Sequence, residues 1–315
     1  MKQGKISKGI IESLNISTHK GVIKKPVFQA AIDETGIQQD AHSGQWHRQV
    51  SLLDSESIAD FSEKFKKTVI PGEFAENITT KGIDFKEVCL FDSFKINDVE
   101  LIVTQIGKEC HGNTCEIFKK TGACIMPKKG IFTKVFKTGT IKTNHEIKHI
   151  HRILQFHIIT LSDRASSGVY QDKSGLIVSA FVNDFFKEKP YHINICHTII
   201  PDSKKLFKKA LKLAVIKNCD VIISTGSTGI GPKDIAPDVV LDFADRIIPG
   251  VMEFIRNKYG EKYPNALLSR SIAALAGTTL IFTLPGSVKA VKEYLKEIFK
   301  SLEHSLFMIQ GIDIH

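Results

Sequence analysis

No apolar run in the sequence approaches the roughly 20 residues that a helix needs to cross a bilayer, which excludes a helical membrane protein. The opening residues MKQGKISKGI have no signal-peptide core, so a cytoplasmic location is expected. The glycosylation-type triplets at Asn15 and Asn77 then carry no meaning. Cysteines number only six, and without an export signal they do not suggest a disulfide framework. There is no internal repeat, no low-complexity tract, and no aromatic or basic stripe of the kind that tracks a nucleic acid. The formal charge of +9 is dispersed in pairs such as Lys24-Lys25, Lys119-Lys120 and Lys204-Lys205 among acidic neighbours. Such a pattern reads as solvated faces, and it also suits a small polyanionic ligand.

What the chain does have is length and a change of period. At 315 residues it exceeds the roughly 250 to 300 at which one core stops growing, so two domains are expected, 1–150 and 151–315. The first half reads as short strands between turn signals, hence a β-barrel. Asn97-Asp98 marks a hairpin, and Leu53, Ile58, Phe61 and Phe65 place a helix over 51–65. After Ile150 strands and helices alternate, which implies an α/β doubly wound, mostly parallel sheet. The basic, histidine-rich stretch 145–152 is the expected linker.

The chemistry concentrates at strand ends. Strand CDVIIST runs into TGSTGIGPKD, and in an open parallel sheet ligands bind outside the carboxyl ends of the strands. Glycines let backbone N–H groups approach an anion, and Thr225, Ser227 and Thr228 add hydroxyls. The loop is nevertheless not a Walker-type loop, because Pro232 stands where lysine is required, and Gly226, Gly229 and Gly231 do not make G-x-G-x-x-G. A tight turn without a ligand is the plain alternative. Asp234 fits either a helix cap or a holder of a divalent cation bridging phosphates. Ser162, Asp163, Arg164 and Ser166 follow the first strand, Asp202 ends the second, and Pro285-Gly286 end the last. Several polar strand ends facing one crevice suggest a binding site.

The ordered blocks SDRASSGVYQDKSG, IPD, TGSTGIGPKDIAPDVV, DRIIPGVMEFIR, LLSRSIAAL and LPG resemble the molybdopterin adenylyltransferases, the MogA and MoaB group and the corresponding domain of gephyrin. The resemblance covers about 153–310. It implies transfer of AMP from Mg-ATP to the terminal phosphate of molybdopterin, release of pyrophosphate, a homotrimer, and delivery of the product to a molybdate-inserting enzyme. Carried over, the family's phosphate loop falls on Thr225, Gly226, Ser227, Thr228 and Gly229, with Ser227 in place of a glycine. The catalytic aspartate falls on Asp234 and a second functional carboxylate on Asp202, both assigned to magnesium through the phosphates. Ser269 and Arg270 fall on the pterin-phosphate segment. The usual arginine before Asp234 is Lys233, and the usual Thr-Pro is Ala236-Pro237.

Residues 20–148 resemble a MOSC domain through GIQQDAHSGQWHRQVSLLD, PGEFAENITT and LFDSFKINDVELIVTQIGKEC. That resemblance puts the family cysteine on Cys110, proposed to carry sulfur or engage the molybdenum cofactor, with Lys108 and His111 favouring its thiolate. His42, His47 and Arg48 fall where the family has basic residues. Phe74, Glu76 and Asn77 read as a structural turn. Cys110, His111, Cys115 and Cys124 could hold zinc, but no C-x-x-C pair supports it. Together these readings give a fusion enzyme of molybdenum cofactor biosynthesis; a molybdopterin carrier without turnover is the alternative, and nucleic-acid binding ranks last.

Overall fold

The computed structural model describes residues 4–109, 118 and 123–314. Two compact units account for them, one built from 2–152 with 190–192 and 312–315, the other from 153–189 and 193–311. The candidate residues Cys110, His111 and Cys115 lie outside the described residues.

The first unit contains β1 (Ile6–Ile16), β2 (Lys25–Val27), β3 (Gln29–Asp33), β4 (Gly36–Ile37), β5 (Val50–Asp54), β6 (Ile78–Lys81), β7 (Ser93–Ile96), β8 (Val99–Ile106), β9 (Ile131–Lys137), β10 (Gly139–Lys142) and β11 (Glu146–Ile150). Seven strands in the order β11-β7-β8-β9-β5-β6-β1 close on themselves through antiparallel pairing of β1 with β11, from Ile6 opposite Ile150 to Ile10 opposite Glu146. Closure removes exposed strand edges. Ile11, Leu14, Leu52, Ile78, Phe94, Leu101 and Ile147 are fully buried within it, each worth roughly 1.5–3 kcal/mol in apolar area removed from water.

The expected hairpin is present, with Asn97 at φ +51° between β7 and β8. The expected helix is shorter at its start, because 51–54 belong to β5 and α1 spans Ser55–Phe65. Leu52 and Leu53 are both fully buried, so the strand is covered on two faces, and Asp54 ends it by accepting the Ser57 N–H as the helix cap. The expected linker is mostly barrel: Glu146–Ile150 is the closing strand. A short helix, α2 (Met126–Lys129), precedes β9.

The second unit carries β12 (Ile153–Leu161), α3 (Asp163–Ser166), α4 (Ser174–Phe186), β13 (His192–Ile200), α5 (Lys204–Ile216), β14 (Val221–Thr225), α6 (Ala236–Phe243), β15 (Arg246–Ile247), α7 (Pro249–Gly260), β16 (Ala273–Ala276), β17 (Thr279–Leu284) and α8 (Val288–Ile309). The sheet order is β13-β12-β14-β17-β16-β15. Strands β12, β14 and β17 are parallel, whereas β16 runs antiparallel to β17 and the edge strand β15 antiparallel to β16. Helix α7 and strand β16 are absent from the sequence reading. Ala273 and Ala274 are buried but too small to give an apolar-run signal, and β16 is only four residues long. Every residue of β14 and β17 is buried, as a central parallel strand requires, and both strands deliver their carboxyl ends to the loops described next.

Candidate active site

A cavity of 610 Å³ opens at those strand ends. Gly226, Ser227, Thr228 and Gly229 line it together with Asp234, Ser269, Pro285 and Gly286. Eight residues singled out from three separate sequence blocks thus share one wall. A cavity of this size lies in the range that holds a small ligand.

The loop is built so that glycine is required at its first turn. Gly226 sits at φ +94°, and a Cβ there would lie 2.3 Å from the Leu161 carbonyl oxygen. Gly229 faces Asp234 so closely that a Cβ would meet its Oδ2 at 2.7 Å. The Gly231 N–H donates to the same Oδ2 at 2.8 Å, which fixes the carboxylate against the bare backbone.

Ser227, the departure from a glycine loop, adopts φ +57°. This left-handed conformation costs an ordinary residue about 1 kcal/mol or more. The side chain offsets that cost by folding back: its hydroxyl donates to the Lys233 carbonyl at 2.7 Å and accepts the Ile235 N–H at 2.9 Å. Its Cβ substituent therefore staples the loop to the start of α6.

Arg270 acts on the same loop. Its guanidinium donates to the carbonyls of Gly229 (2.9 Å) and Asp234 (2.7 Å) and forms a fork with Asp238 at 2.8 and 3.1 Å. The Arg270 N–H also donates to Thr228 O at 2.8 Å. The hydrogen bonds that the guanidinium donates to Asp238 hold it protonated, above its already high ordinary range. Arg270 does not line the cavity; it holds the loop from behind.

The remaining expected residues form two groups. Asp163 and Asp202 cap one another's backbones, with Asp163 N–H donating to Asp202 Oδ2 at 3.2 Å and Asp202 N–H to Asp163 Oδ1 at 3.1 Å. Lys233 reaches Asp163 at 3.2 Å. These contacts, the Asp202 N–H first and Lys233 second, hold the Asp163 carboxyl below the usual range. Ser162 caps α3, and the Arg164 guanidinium lies 5.7 Å from the Tyr170 ring centre. Thr225 is fully buried, its hydroxyl 2.9 Å from Ser174 Oγ in a network with Thr160, Asp172 and His197. None of Ser162, Asp163, Arg164, Asp202 and Thr225 lines the cavity.

Sequence reasoning missed the rest of the lining, which comes from α7, the segment leading through the 3-10 turn Pro264–Leu268, and α8. Tyr259, Tyr263, Asn265, Lys289 and Tyr294 stand there. Lys289 Nζ lies 3.4 Å from the Tyr263 ring centre, and its hydrogen bond, with a second from Lys262, draws the Tyr263 hydroxyl below its ordinary value. Burial, followed by Glu297, pushes Tyr259 up to about 12. The Tyr294 hydroxyl is buried and has no hydrogen-bond partner among the described residues, although buried tyrosines ordinarily find one. A ligand oxygen or nitrogen in the cavity would satisfy it. Tyr259 and Tyr294 lie within helices, where an aromatic reads as core, and Tyr263 lies just past the end of α7.

In the barrel unit a cavity of 750 Å³ is lined by Lys20, His42, Trp46, His47, Arg48 and Lys108, among others. Arg48 and Lys20 face the Trp46 ring at 4.8 and 5.3 Å. His47 Nδ1 and Arg48 Nε are buried without hydrogen-bond partners among the described residues. Burial and then the Arg48 charge push His47 below its ordinary pKa, so it presents a neutral imidazole. Behind this cavity Lys24 and Asp40 form a buried ion pair at 2.7 Å. Burial opposes the charge on Asp40, but hydrogen bonds from His42 and Lys24 hold it well below the usual carboxylate range. Phe74, Glu76 and Asn77 are buried; Glu76 accepts Gly72 N–H and Asn77 ties Ser51 to Asn15, the structural turn expected of them.

Comparison with known proteins agrees with this division. Residues 157–304 match the family described as probable molybdopterin binding domain, and residues 39–148 match the MOSC domain. The molybdopterin adenylyltransferase of Haemophilus influenzae is 33% identical over 175 residues, which cover 51% of this chain and 87% of that protein. The Escherichia coli K12 molybdopterin adenylyltransferase is 34% identical over 46% of this chain and 73% of its own length. Gephyrin of Dictyostelium discoideum matches at 30% identity over 49% of this chain and 22% of its own. Among solved structures, MoaB of Thermus thermophilus is 32% identical and covers 51% of this chain and 99% of its own, with a TM-score of 0.46. No helix among the described residues is long and apolar enough to cross a membrane. By its second unit this chain belongs to the MogA and MoaB family of molybdopterin adenylyltransferases, enzymes of molybdenum cofactor biosynthesis, and it carries a MOSC domain ahead of that unit.

Proposed function

We propose that the second unit transfers AMP from Mg-ATP to the terminal phosphate of molybdopterin. The observation that carries this reading is the single cavity shared by the 226–229 backbone, Asp234, Ser269 and the unpartnered Tyr294 hydroxyl. A phosphate oxygen of molybdopterin attacks the α-phosphorus, the bond to the β-phosphate oxygen breaks, and pyrophosphate leaves. The attacking phosphate is already anionic, so no strong base is needed, and alignment and charge stabilisation do the catalysis.

The residues fit that demand. The backbone at 226–229 is held bare by Gly226 and Gly229, and α8 begins beside the cavity at Ser287, so its N–H groups and dipole favour an anion. Of the two carboxylates that line the cavity, Asp234 and Glu293, Asp234 adjoins the glycine loop and would hold magnesium, which when bound neutralises phosphate charge. Asp202, tied to Asp163 and through it to Lys233, would act with Asp234 by setting the position of Lys233. The tyrosine wall offers flat apolar surface to a heterocycle. A cytoplasmic homotrimer passing its product to a molybdate-inserting enzyme completes the proposal.

In the barrel unit, the cavity lined by the cations Lys20, Arg48 and Lys108, together with His42, His47 and Glu109, suits an anionic group of the cofactor, with Cys110 two residues beyond Lys108 as the sulfur or metal-engaging group. Incubation with Mg-ATP and molybdopterin tests the enzymatic reading. Pyrophosphate and an AMP-linked pterin should form in equal amounts. Tight molybdopterin binding without product would establish the carrier instead.

A further inference from the structure

A second cluster of chemically capable side chains lies in the barrel unit, and none of its residues lines either cavity. Asp92, at the turn into β7, has no exposed surface. Its Oδ1 accepts the Arg152 N–H at 2.7 Å, and its Oδ2 accepts the Cys89 N–H at 2.9 Å and His149 Nε2–H at 2.7 Å. His149, on β11, is equally buried, and Ser7 Oγ lies 3.3 Å from its Nδ1. The carboxylate is thus held in one orientation by three donors. Such outer hydrogen bonds are what a metal-binding carboxylate needs.

His192, which packs with this unit, turns its Nε2 toward the same carboxylate oxygen at 3.7 Å. That nitrogen is buried and has no hydrogen-bond partner among the described residues. The distance is too long for a hydrogen bond and suits two atoms that share an ion. Cys89 Sγ, an Asp92 oxygen and a His192 ring nitrogen all lie within 4.8 Å of one another. Bonds of about 2.0–2.3 Å to a tetrahedral zinc ion place neighbouring ligand atoms about 3.3–3.8 Å apart, inside that limit.

We propose that Cys89, Asp92 and His192 form a three-ligand site for a zinc-type divalent cation, with the fourth position open to water. The mixed sulfur, nitrogen and oxygen set favours zinc over magnesium or calcium, which take oxygen ligands. His149 orients the carboxylate from behind. His151 is not a ligand, because its ring stacks on His192 at 4.1 Å and 7°. A ring nitrogen bonds a cation in the plane of its ring, and two parallel planes do not meet at one ion. Stacking instead fixes the His192 ring. On binding, the Cys89 S–H bond breaks, its proton leaves to solvent, and the sulfur electron pair bonds the cation.

Titration of the full chain with cobalt(II) tests the site. One equivalent should bind with a sulfur-to-cobalt charge-transfer band. Cys89→Ser should abolish the band, and a background with Cys110, Cys115 and Cys124 all replaced by serine should keep it. His149→Gln should weaken binding roughly 10- to 100-fold while the band persists. Circular dichroism establishes that each variant is folded. The proposal is overturned if cobalt does not bind, if the band survives Cys89→Ser, or if folded triple-serine protein lacks it.

Discussion

Single side chains in this molecule divide into those that hold backbone and those left facing a cavity. Asp40 belongs to the first kind. Replacing it by asparagine leaves Lys24 buried and unpaired, which should cost about 3–5 kcal/mol at neutral pH. Its folded pKa lies below the unfolded value, so its contribution is complete above about pH 4 and is lost as pH falls toward the folded value. Urea denaturation of wild type and Asp40→Asn should therefore show a gap that is widest near neutrality and narrows in acid; a gap independent of pH would contradict the ion pair. Asp234 is of the second kind. Asp234→Asn can still accept the Gly231 N–H, so it should fold, while turnover and its magnesium dependence are lost. Rates like those of wild type would remove Asp234 from the mechanism. Ser227 shows why a sequence departure needs geometry: its hydroxyl, bonded to Lys233 O and Ile235 N–H, holds the left-handed conformation that a glycine adopts without strain.

At the scale of elements, the loop from Gly226 to Asp234 is held in shape mainly by Arg270 and the start of α6. Arg270 touches two loop carbonyls and Asp238, so it acts as a positioning residue. Arg270→Ala should lower kcat roughly 10- to 100-fold, the scale expected of a misplaced catalytic group. Asp238→Asn should move kcat in the same direction, since it releases the same fork from the far side. If only the arginine variant is impaired, and through KM, Arg270 contacts substrate instead. The glycine loop and the LPG turn could be picked out in the sequence because each breaks an apolar run at a strand end, and Asp234 because it closes the glycine loop. The tyrosine wall could not, because Tyr259 and Tyr294 lie within helices, where an aromatic reads as core, Tyr263 lies just past the end of one, and none stands at a strand end; Tyr294 is indeed 2% exposed. Helix 51–65 was read too long at its start because buried β5 residues share the apolar signal of a helix, and only the Asp54 cap separates them.

The whole molecule joins a closed barrel to a mixed α/β sheet, and the hydrophobic period of the sequence changes near Ile150. The histidine-rich stretch 145–152 was misread as linker, since local polarity gives no hint that Glu146–Ile150 pairs with a strand some 140 residues earlier. Two units with separate cavities imply separable chemistry. Cys110→Ala should leave AMP transfer unchanged, measured as pyrophosphate release, whereas a parallel loss would reject the separation. The central claim is that the 226–229 backbone and Asp234 receive the reacting phosphates. A crystal structure with Mg-ATP or AMP tests it most directly: the account expects nucleotide phosphate against Gly226 to Gly229 with Asp234 beside the metal, and nucleotide bound away from this loop would contradict it.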